Sequence, residues 1–316
     1  MKAIQYARYG GPEELALVDV PDPPLLEDGV LIAVHAAGVA PGDCKVRQGL
    51  LQQMFPVKLP KIPGRDGTGV VIAAGPKAGY AHAGDRPRLG DRVCFVAQHV
   101  EQGGAAELIA RRRSEIARLP ANVSFVEGAA LAHAGICAWI GIAETAKVAP
   151  GMKVLIHGGG GAIGSLAIQI AKHRGAFVAA TTRNANAAYV SGLGADLVVP
   201  YDKQDFAEAF SDYDLVFDLV GGDIHRRSYR VLRKGGMLVY LIAEPIEDLG
   251  AQYGVSVKRA VIHDRIDTLE AVLALAEKGA VRAQVGKVFP LAECAEAHRL
   301  VLSGKHTRGR VVLKVR

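Results

Sequence analysis

The stretch Lys153-Val-Leu-Ile-His-Gly-Gly-Gly-Gly-Ala-Ile-Gly164, followed by Ser165 to His173 and then Phe177-Val-Ala-Ala-Thr-Thr-Arg183, decides the fold of this 316-residue chain. Lys153 to His157 reads as a buried strand, Ile163 to His173 as an amphipathic helix stopping near Gly175, and Phe177 to Thr182 as a second strand. Strand, glycine turn, helix and strand make a βαβ unit, the building block of a parallel sheet. Working outward, Ala187 to Leu193 reads as a short helix and Asp196 to Val199 as a strand. Leu215 to Leu219 and Met237 to Ile242 are two more strands. Between those two, His225 to Arg233 reads as a helix ending at Lys234-Gly235-Gly236.

Before about residue 125 the texture differs. Lys2 to Tyr9, Val30 to Val39, Gly69 to Gly75 and Asp91 to Ala97 are short strand-like runs broken by Gly and Pro, as in a β-rich, barrel-like domain. Gly75 to Asp91, dense in Gly, Pro and charge, reads as a surface loop. After Arg265 a helix runs through Lys278, and the ending Arg308-Gly-Arg-Val-Val-Leu-Lys-Val315 alternates as the first part does, so the tail should rejoin it. The expected division is therefore 1–125 completed by 266–316, with 126–265 between. The edge near Val255 to Ile262 reads equally well as an exposed or an interior strand.

Half the residues are apolar and 22% are charged, the balance of an ordinary globular protein and not of a disordered or fibrous one. The start, Met1 to Gly10, has no apolar stretch with a cleavage site, so no secretory signal is read and a cytoplasmic location is expected. The longest uncharged run, Val154 to Ala171, holds the glycines, His157 and Gln169; strand, turn and helix explain it better than a membrane span. A net charge of +6 suits nucleic acid or an anionic cofactor. The one dense basic run, Arg111 to Arg113, lacks interleaved aromatics and reads as solvated surface, so a nucleic-acid partner is not expected. Cys44, Cys94, Cys137 and Cys294 form no CxxC pair and have no His at zinc-finger spacing, so neither a structural zinc nor a disulfide framework is indicated.

The glycine loop holds Gly159-x-Gly161-x-x-Gly164. A pyrophosphate needs backbone amides at close range and a helix N-terminus aimed at it, and side chains at those glycines would block its approach. Gly159, Gly160, Gly161, Ala162, Ile163 and Gly164 are the expected cradle of a dinucleotide, against the plain alternative of a flexible turn. NAD sites place an acid about 20 residues beyond the first glycine. Here the strand runs into Thr181, Thr182 and Arg183, whose guanidinium and hydroxyls suit a 2′-phosphate, so NADP(H) is the expected cofactor. The bland reading is an exposed Arg183; Asp202 lies too far along to replace the missing acid.

With these residues in place the chain resembles the zinc-independent quinone oxidoreductases and alkenal (enone) reductases of the medium-chain dehydrogenase/reductase superfamily. The resemblance runs over essentially the whole sequence. It is carried by Ala37-Gly-Val-Ala-Pro-Gly-Asp-Cys-Lys-Val-Arg-Gln-Gly49, Ile62-Pro-Gly-Arg-Asp-Gly-Thr-Gly-Val-Val71, Gly90-Asp-Arg-Val93, Gly104-Ala-Ala-Glu107, the glycine loop, Gly194-Ala-Asp196 and Phe217-Asp-Leu-Val-Gly-Gly222. It implies an α/β chain with a GroES-like β-barrel domain, a Rossmann doubly wound parallel-sheet domain, an active site in the cleft between them, and a homodimer. It also implies that Val220 and Gly221 lie beside the cofactor's ribose and that Leu241 and Ile242 border the nicotinamide.

Zinc members carry a Cys just before the Asp of the first marker and a His-Glu pair after Gly64. Here Ala40-Pro41-Gly42 precedes Asp43, and Arg65-Asp66 replaces His-Glu, so no metal site is expected: Arg cannot ligate a metal. Many quinone oxidoreductases have Asn where Ala40 stands. Lys45 matches a Lys of the alkenal-reductase-like branch.

Hydride transfer to an enone or quinone builds negative charge on oxygen, which a positioned donor in a dry cleft stabilises. Lys45, Arg65 and His133 are the candidates. Lys45 reads as that donor or as an exposed strand-edge lysine, and Arg65 as a donor or as a partner of Asp66 or Asp43 holding its loop. His133, in Leu131-Ala-His-Ala-Gly-Ile-Cys137, reads as a pocket residue or as packing. Asp43 reads as a loop anchor. The function expected is NADPH-dependent, metal-independent reduction of a small-molecule quinone or α,β-unsaturated carbonyl. The alternatives are an NADPH-binding protein with slight catalysis, in a structural, sensory or RNA-associated role, and a related reductase of a short enoyl thioester.

Overall fold

The computed structural model describes residues 1–78, 87–242, 245–304 and 308–316. Its strands are, in chain order, β1 (Lys2–Gln5), β2 (Ala16–Asp19), β3 (Gly29–Val39), β4 (Asp66–Ala74), β5 (Arg92–Val96), β6 (Leu108–Arg112), β7 (Ile116–Arg118), β8 (Lys153–Ile156), β9 (Phe177–Thr182), β10 (Leu197–Pro200), β11 (Tyr213–Asp218), β12 (Leu232–Tyr240), β13 (Ser256–Arg259), β14 (Val285–Pro290) and β15 (Arg310–Lys314). Val154, Leu155 and Ile156 on β8 and Leu215, Val216 and Phe217 on β11 are fully buried. Such runs, apolar on both sides, belong to a parallel sheet covered on both faces.

β8 to β13 form that sheet, wholly parallel, in the order β10-β9-β8-β11-β12-β13. The order reverses at β8, and open parallel sheets bind ligands at the carboxyl ends of the strands flanking such a reversal, here β8 and β11. The glycine loop follows β8 and Val220 follows β11, so both candidate segments stand at that switch point.

A seven-stranded sheet runs β14-β15-β3-β4-β5-β7, with β6 also on β3; its pairs are antiparallel except β14 with β15. The tail does rejoin the first part, since β15 lies between β14 and β3. The helix Phe125–Trp139 joins the two sheets. It opens with a capping box in which Ser124 Oγ accepts from the Glu127 amide and Glu127 Oε2 from the Ser124 amide. Its Leu131, Ile136 and Ala138 share one core with Cys94 and Val96 of β5, Ile156 of β8 and Val272 of the helix Ile266–Glu277. Phe125–Thr145 is apolar and long enough to cross a membrane, yet most of it is buried inside the protein, as a core helix is.

Three readings are corrected or completed. The helix expected over His225 to Arg233 spans Gly222–Ser228 instead, and Lys234-Gly235-Gly236 lies within β12. There the pairing with β11 jumps from Leu232 opposite Tyr213 to Met237 opposite Leu215, so the glycines loop out of a strand and do not stop a helix. The open question near Val255 is resolved in favour of an edge strand, because among the described residues β13 pairs only with β12. Of the loop read over Gly75 to Asp91, residues 79–86 lie outside the described residues.

Candidate active site

The glycine loop turns on Gly158, held at φ +75°. At Gly159 an added Cβ would stand 2.9 Å from Ala180 Cβ and 3.1 Å from Ile168 Cδ1, and at Gly164 it would stand 2.2 Å from the Gly158 carbonyl oxygen. These two glycines allow the loop to press against β9 and its own helix, which corrects the reading that all the glycines serve ligand access. Gly161 is different. It is the N-cap of the helix Ala162–His173, and a Cβ there meets nothing nearer than 3.4 Å. Its open face, with the first-turn amides of Ala162, Ile163 and Gly164 that have no intrahelical acceptor, fits a pyrophosphate. Gly160 faces the tail, its carbonyl accepting from the Gly309 amide at 2.9 Å.

At the end of β9, Thr181 and Thr182 are buried. Thr181 Oγ1 is 3.0 Å from His157 Nδ1, and His157 Nε2 is 3.0 Å from Ser228 Oγ, which itself donates to the Ile224 carbonyl. Ser228 therefore accepts from His157, Nδ1 is left as an acceptor, and the Thr181 hydrogen is committed to it. Thr181 shapes the strand end from below and is no phosphate donor, contrary to expectation. Arg183 is exposed, and its Nε donates to Tyr201 Oη at 2.9 Å, a partner that the sequence reading missed. Asp202, dismissed as too distant, accepts from the Asn184 amide at 2.7 Å, because β10 lies directly beside β9.

Val220, half exposed, and Gly221, at φ +82°, follow β11. A Cβ on Gly158 would lie 3.6 Å from Val220 Cγ2, and one on Gly221 would lie 2.7 Å from Ile242 Cδ1, so the two loops and Ile242 are in contact. Leu241 donates its amide to the Asp218 carbonyl. The buried Asp218 carboxylate accepts from the amides of Val220 and Gly221 at 2.9 and 3.0 Å and meets His225 Nδ1 at 2.8 Å. Burial alone would raise its pKa, but His225 and the two amides outweigh burial and hold it below the usual carboxylate range.

A second constellation gathers around Arg65, just before β4. Its Nη1 is 3.1 Å from His99 Nε2 and 3.3 Å from His133 Nε2, and its Nη2 donates to Asp264 Oδ2 at 2.5 Å. Guanidinium only donates, so both imidazoles accept and both are neutral, protonated on Nδ1. Burial, reinforced by Arg65, pushes His133 down to about 4 and His99 to about 3. Asp264 would be raised by burial, yet His133 and Arg65 bring it below the normal carboxylate value.

Arg65 pairs neither with Asp66 nor with Asp43. Asp66 is occupied by Arg310 Nη2 at 2.7 Å and the His133 amide at 3.0 Å, while Asp43 Oδ2 accepts from the Ala40 amide at 2.9 Å and so anchors its loop as expected. Lys45 sits on the helix Pro41–Arg47, not on a strand edge, and does not line the cavity that Arg65 borders. Thus Arg65 and His133 are brought together, while Lys45 is not among the residues lining that cavity. His99 and Asp264 escaped the sequence reading because each lies in a connection between elements. The only local signal was the pair His263-Asp264 shortly after a strand.

Residues 27–150 match the alcohol dehydrogenase GroES-like domain family, and residues 193–313 the zinc-binding dehydrogenase family. Over 318 residues the chain is 32% identical to an NADPH-dependent alkenal/one oxidoreductase, chloroplastic, from Arabidopsis thaliana, covering 99% of this chain and 79% of that protein. It is 30% identical over 331 residues to a chloroplastic quinone-oxidoreductase homolog of Spinacia oleracea, covering 99% and 98%. The structure of a quinone oxidoreductase from Coxiella burnetii superposes with a TM-score of 0.90 at 32% identity, covering 100% of this chain and 99% of that one.

Proposed function

The chain belongs to the medium-chain dehydrogenase/reductase superfamily, on its quinone oxidoreductase and alkenal reductase branch, and from that premise we propose that it is an NADPH-dependent, zinc-independent reductase of quinones or α,β-unsaturated carbonyls. The observation that carries the reading is the Arg65 cluster. Where zinc members place His-Glu, this chain holds a buried guanidinium that three side chains aim and that no metal can share. Residues 1–125 with 266–316 then form the substrate half and 126–265 the cofactor half.

When bound, NADPH supplies the hydride. Gly161 and the first-turn amides hold its pyrophosphate, Arg183 with Tyr201 its 2′-phosphate, and Val220, Gly221, Leu241 and Ile242 border the ribose and nicotinamide. Arg65 donates to the substrate oxygen as charge develops there. Asp264 and the two neutral histidines keep the guanidinium from turning away. The four cysteines are buried thiols without disulfides, as suits a reducing cytoplasm. The edge of β13, unpaired among the described residues, suits pairing with a second copy as a homodimer.

The test mixes metal-stripped protein with NADPH or NADH and a panel of quinones and enones and follows nicotinamide absorbance. Loss of absorbance with NADPH alone supports the proposal. NADPH binding without oxidation by any acceptor replaces it with the reading of a cofactor-binding protein, and Ala40 then becomes the residue to explain.

A further inference from the structure

Lys61 has no part in the roles described above. It is 5% exposed, its backbone bridges to Tyr6, and it borders a small cavity of about 10 Å³ with Tyr6, Asp43, Gly64, Arg65 and His99. Two of its three ammonium hydrogens go to main-chain carbonyls, of Ile62 at 2.7 Å and of Glu101. Among the described residues no carboxylate stands within ion-pair distance of it. An ammonium removed from water with no anion beside it is costly, and neutral donors would cap two carbonyls as well. Among the described residues the third hydrogen has no acceptor. The cavity has room for about one water and the polar lining that a buried water needs.

The cavity also lies between the two segments, Ala40 to Asp43 and Gly64 to Asp66, at which zinc members carry their ligands. Two cations, Lys61 and Arg65, border it here.

We propose that Lys61 is the proton donor of the reduction; this rests on the reductase reading above. As hydride reaches the β-carbon of an enone, the C=C electron pair moves to give an enolate, whose oxygen Arg65 holds. The Lys61 N–H bond then breaks, its proton passes through the one water the cavity admits, and a C–H bond forms at the α-carbon. With a quinone the proton goes to oxygen. The neutral amine afterwards takes a proton from solvent, so hydride and proton together account for the two hydrogens added.

Burial lowers the Lys61 pKa to about 8, Asp43 and Glu101 favouring the charged form and Arg111 opposing it. Of the other groups facing it, Tyr6 is raised by burial and neutral, His99 is neutral, and the Arg65 guanidinium borders the same cavity. A donor of this strength works at neutral pH and fails as pH rises through about 8.

The experiment combines a pH profile of kcat/KM, with NADPH and an enone, and a ¹⁵N NMR titration of the Lys61 amine in the resting protein. It is repeated for Lys61→Met, which removes the buried charge, and for Lys61→Arg, which keeps the charge but does not release a proton. We expect the amine to titrate near 8 and the wild-type rate to fall above that pH. Both variants should lose about 100-fold in rate with NADPH affinity unchanged. A functioning reductase whose Lys61 titrates like a free lysine, or whose Lys61→Met variant keeps the wild-type rate and profile, overturns the donor role alone. Failure to oxidise NADPH with any acceptor overturns the reductase reading and the donor role with it.

Discussion

Arg65 and Asp264 close the junction between the two sheets: the guanidinium stands just before β4, the carboxylate shortly after β13, and Nη2 meets Oδ2 at 2.5 Å. Both side chains are more than four-fifths buried. Removing one partner of a buried pair leaves the other uncompensated, a loss of about 3 kcal/mol. Asp264→Asn should therefore lower the unfolding free energy read from urea denaturation by that amount and slow turnover, because the guanidinium loses its aim. Asp264→Glu should recover part of the rate. The sign of the pH effect follows from the lowered pKa of Asp264. Its contribution is complete above the unfolded value, about 3.9, and disappears as pH falls through the lower folded value. Acid unfolding of the wild type and of Asp264→Asn should converge at the lowest pH; parallel curves would rule the ion pair out as the cause.

His99 and His133 should act in the opposite sense to ordinary surface histidines. Their folded values, about 3 and about 4, lie below the unfolded value. Between about pH 4 and about pH 6.5 the unfolded chain thus binds protons that the folded protein refuses. Stability should fall as pH drops through that window. NMR should find both rings neutral from pH 8 to pH 5, and His133→Gln should flatten the dependence of the urea midpoint on pH. A normal titration of either ring near 6.5 would mean that Arg65 points elsewhere.

Arg183 should decide between the two nicotinamide cofactors. A charge-assisted contact to a phosphate is worth about 2 kcal/mol, so Arg183→Ala should weaken NADPH roughly thirtyfold in a fluorescence titration and leave NADH where it was. Tyr201→Phe removes the hydroxyl that steadies the guanidinium at 2.9 Å and should have a smaller effect of the same sign. Equal losses for both cofactors would place Arg183 outside the 2′-phosphate site.

The parallel half was legible because its strands are continuous apolar runs punctuated by glycine, a pattern that local sequence carries. The β-barrel half was legible in outline, and the return of the tail could be read from the β-branched strand pattern of Arg308 to Val315. What could not be read was set by contacts distant in sequence. His99 and Asp264 meet Arg65 across 34 and 199 residues, and Tyr201 meets Arg183 only because β10 lies beside β9. Lys61 went unremarked in the sequence because its burial depends on the bridge to Tyr6 and on the 98–103 connection folding over it. The Gly235 error had a local cause: a glycine pair after a basic residue marks a helix end and a strand bulge equally well.

Gly159 and Gly161, two residues apart, should fail in different ways when replaced by alanine. At Gly159 the new methyl would press on Ala180 and Ile168, whose positions the sheet and helix fix. Overpacking of this kind costs about 1 to 3 kcal/mol, so Gly159→Ala should melt earlier with or without cofactor. At Gly161 the backbone is in a region open to any residue, with φ −75° and ψ 176°, and the methyl has 3.4 Å of clearance from the protein. Gly161→Ala should fold with an unchanged melting temperature and yet bind NADPH at least tenfold more weakly, because the methyl occupies the space a pyrophosphate needs. Thermal denaturation and a fluorescence titration on both variants separate the two roles. If Gly161→Ala binds NADPH as the wild type does, the dinucleotide does not approach through this face of the loop.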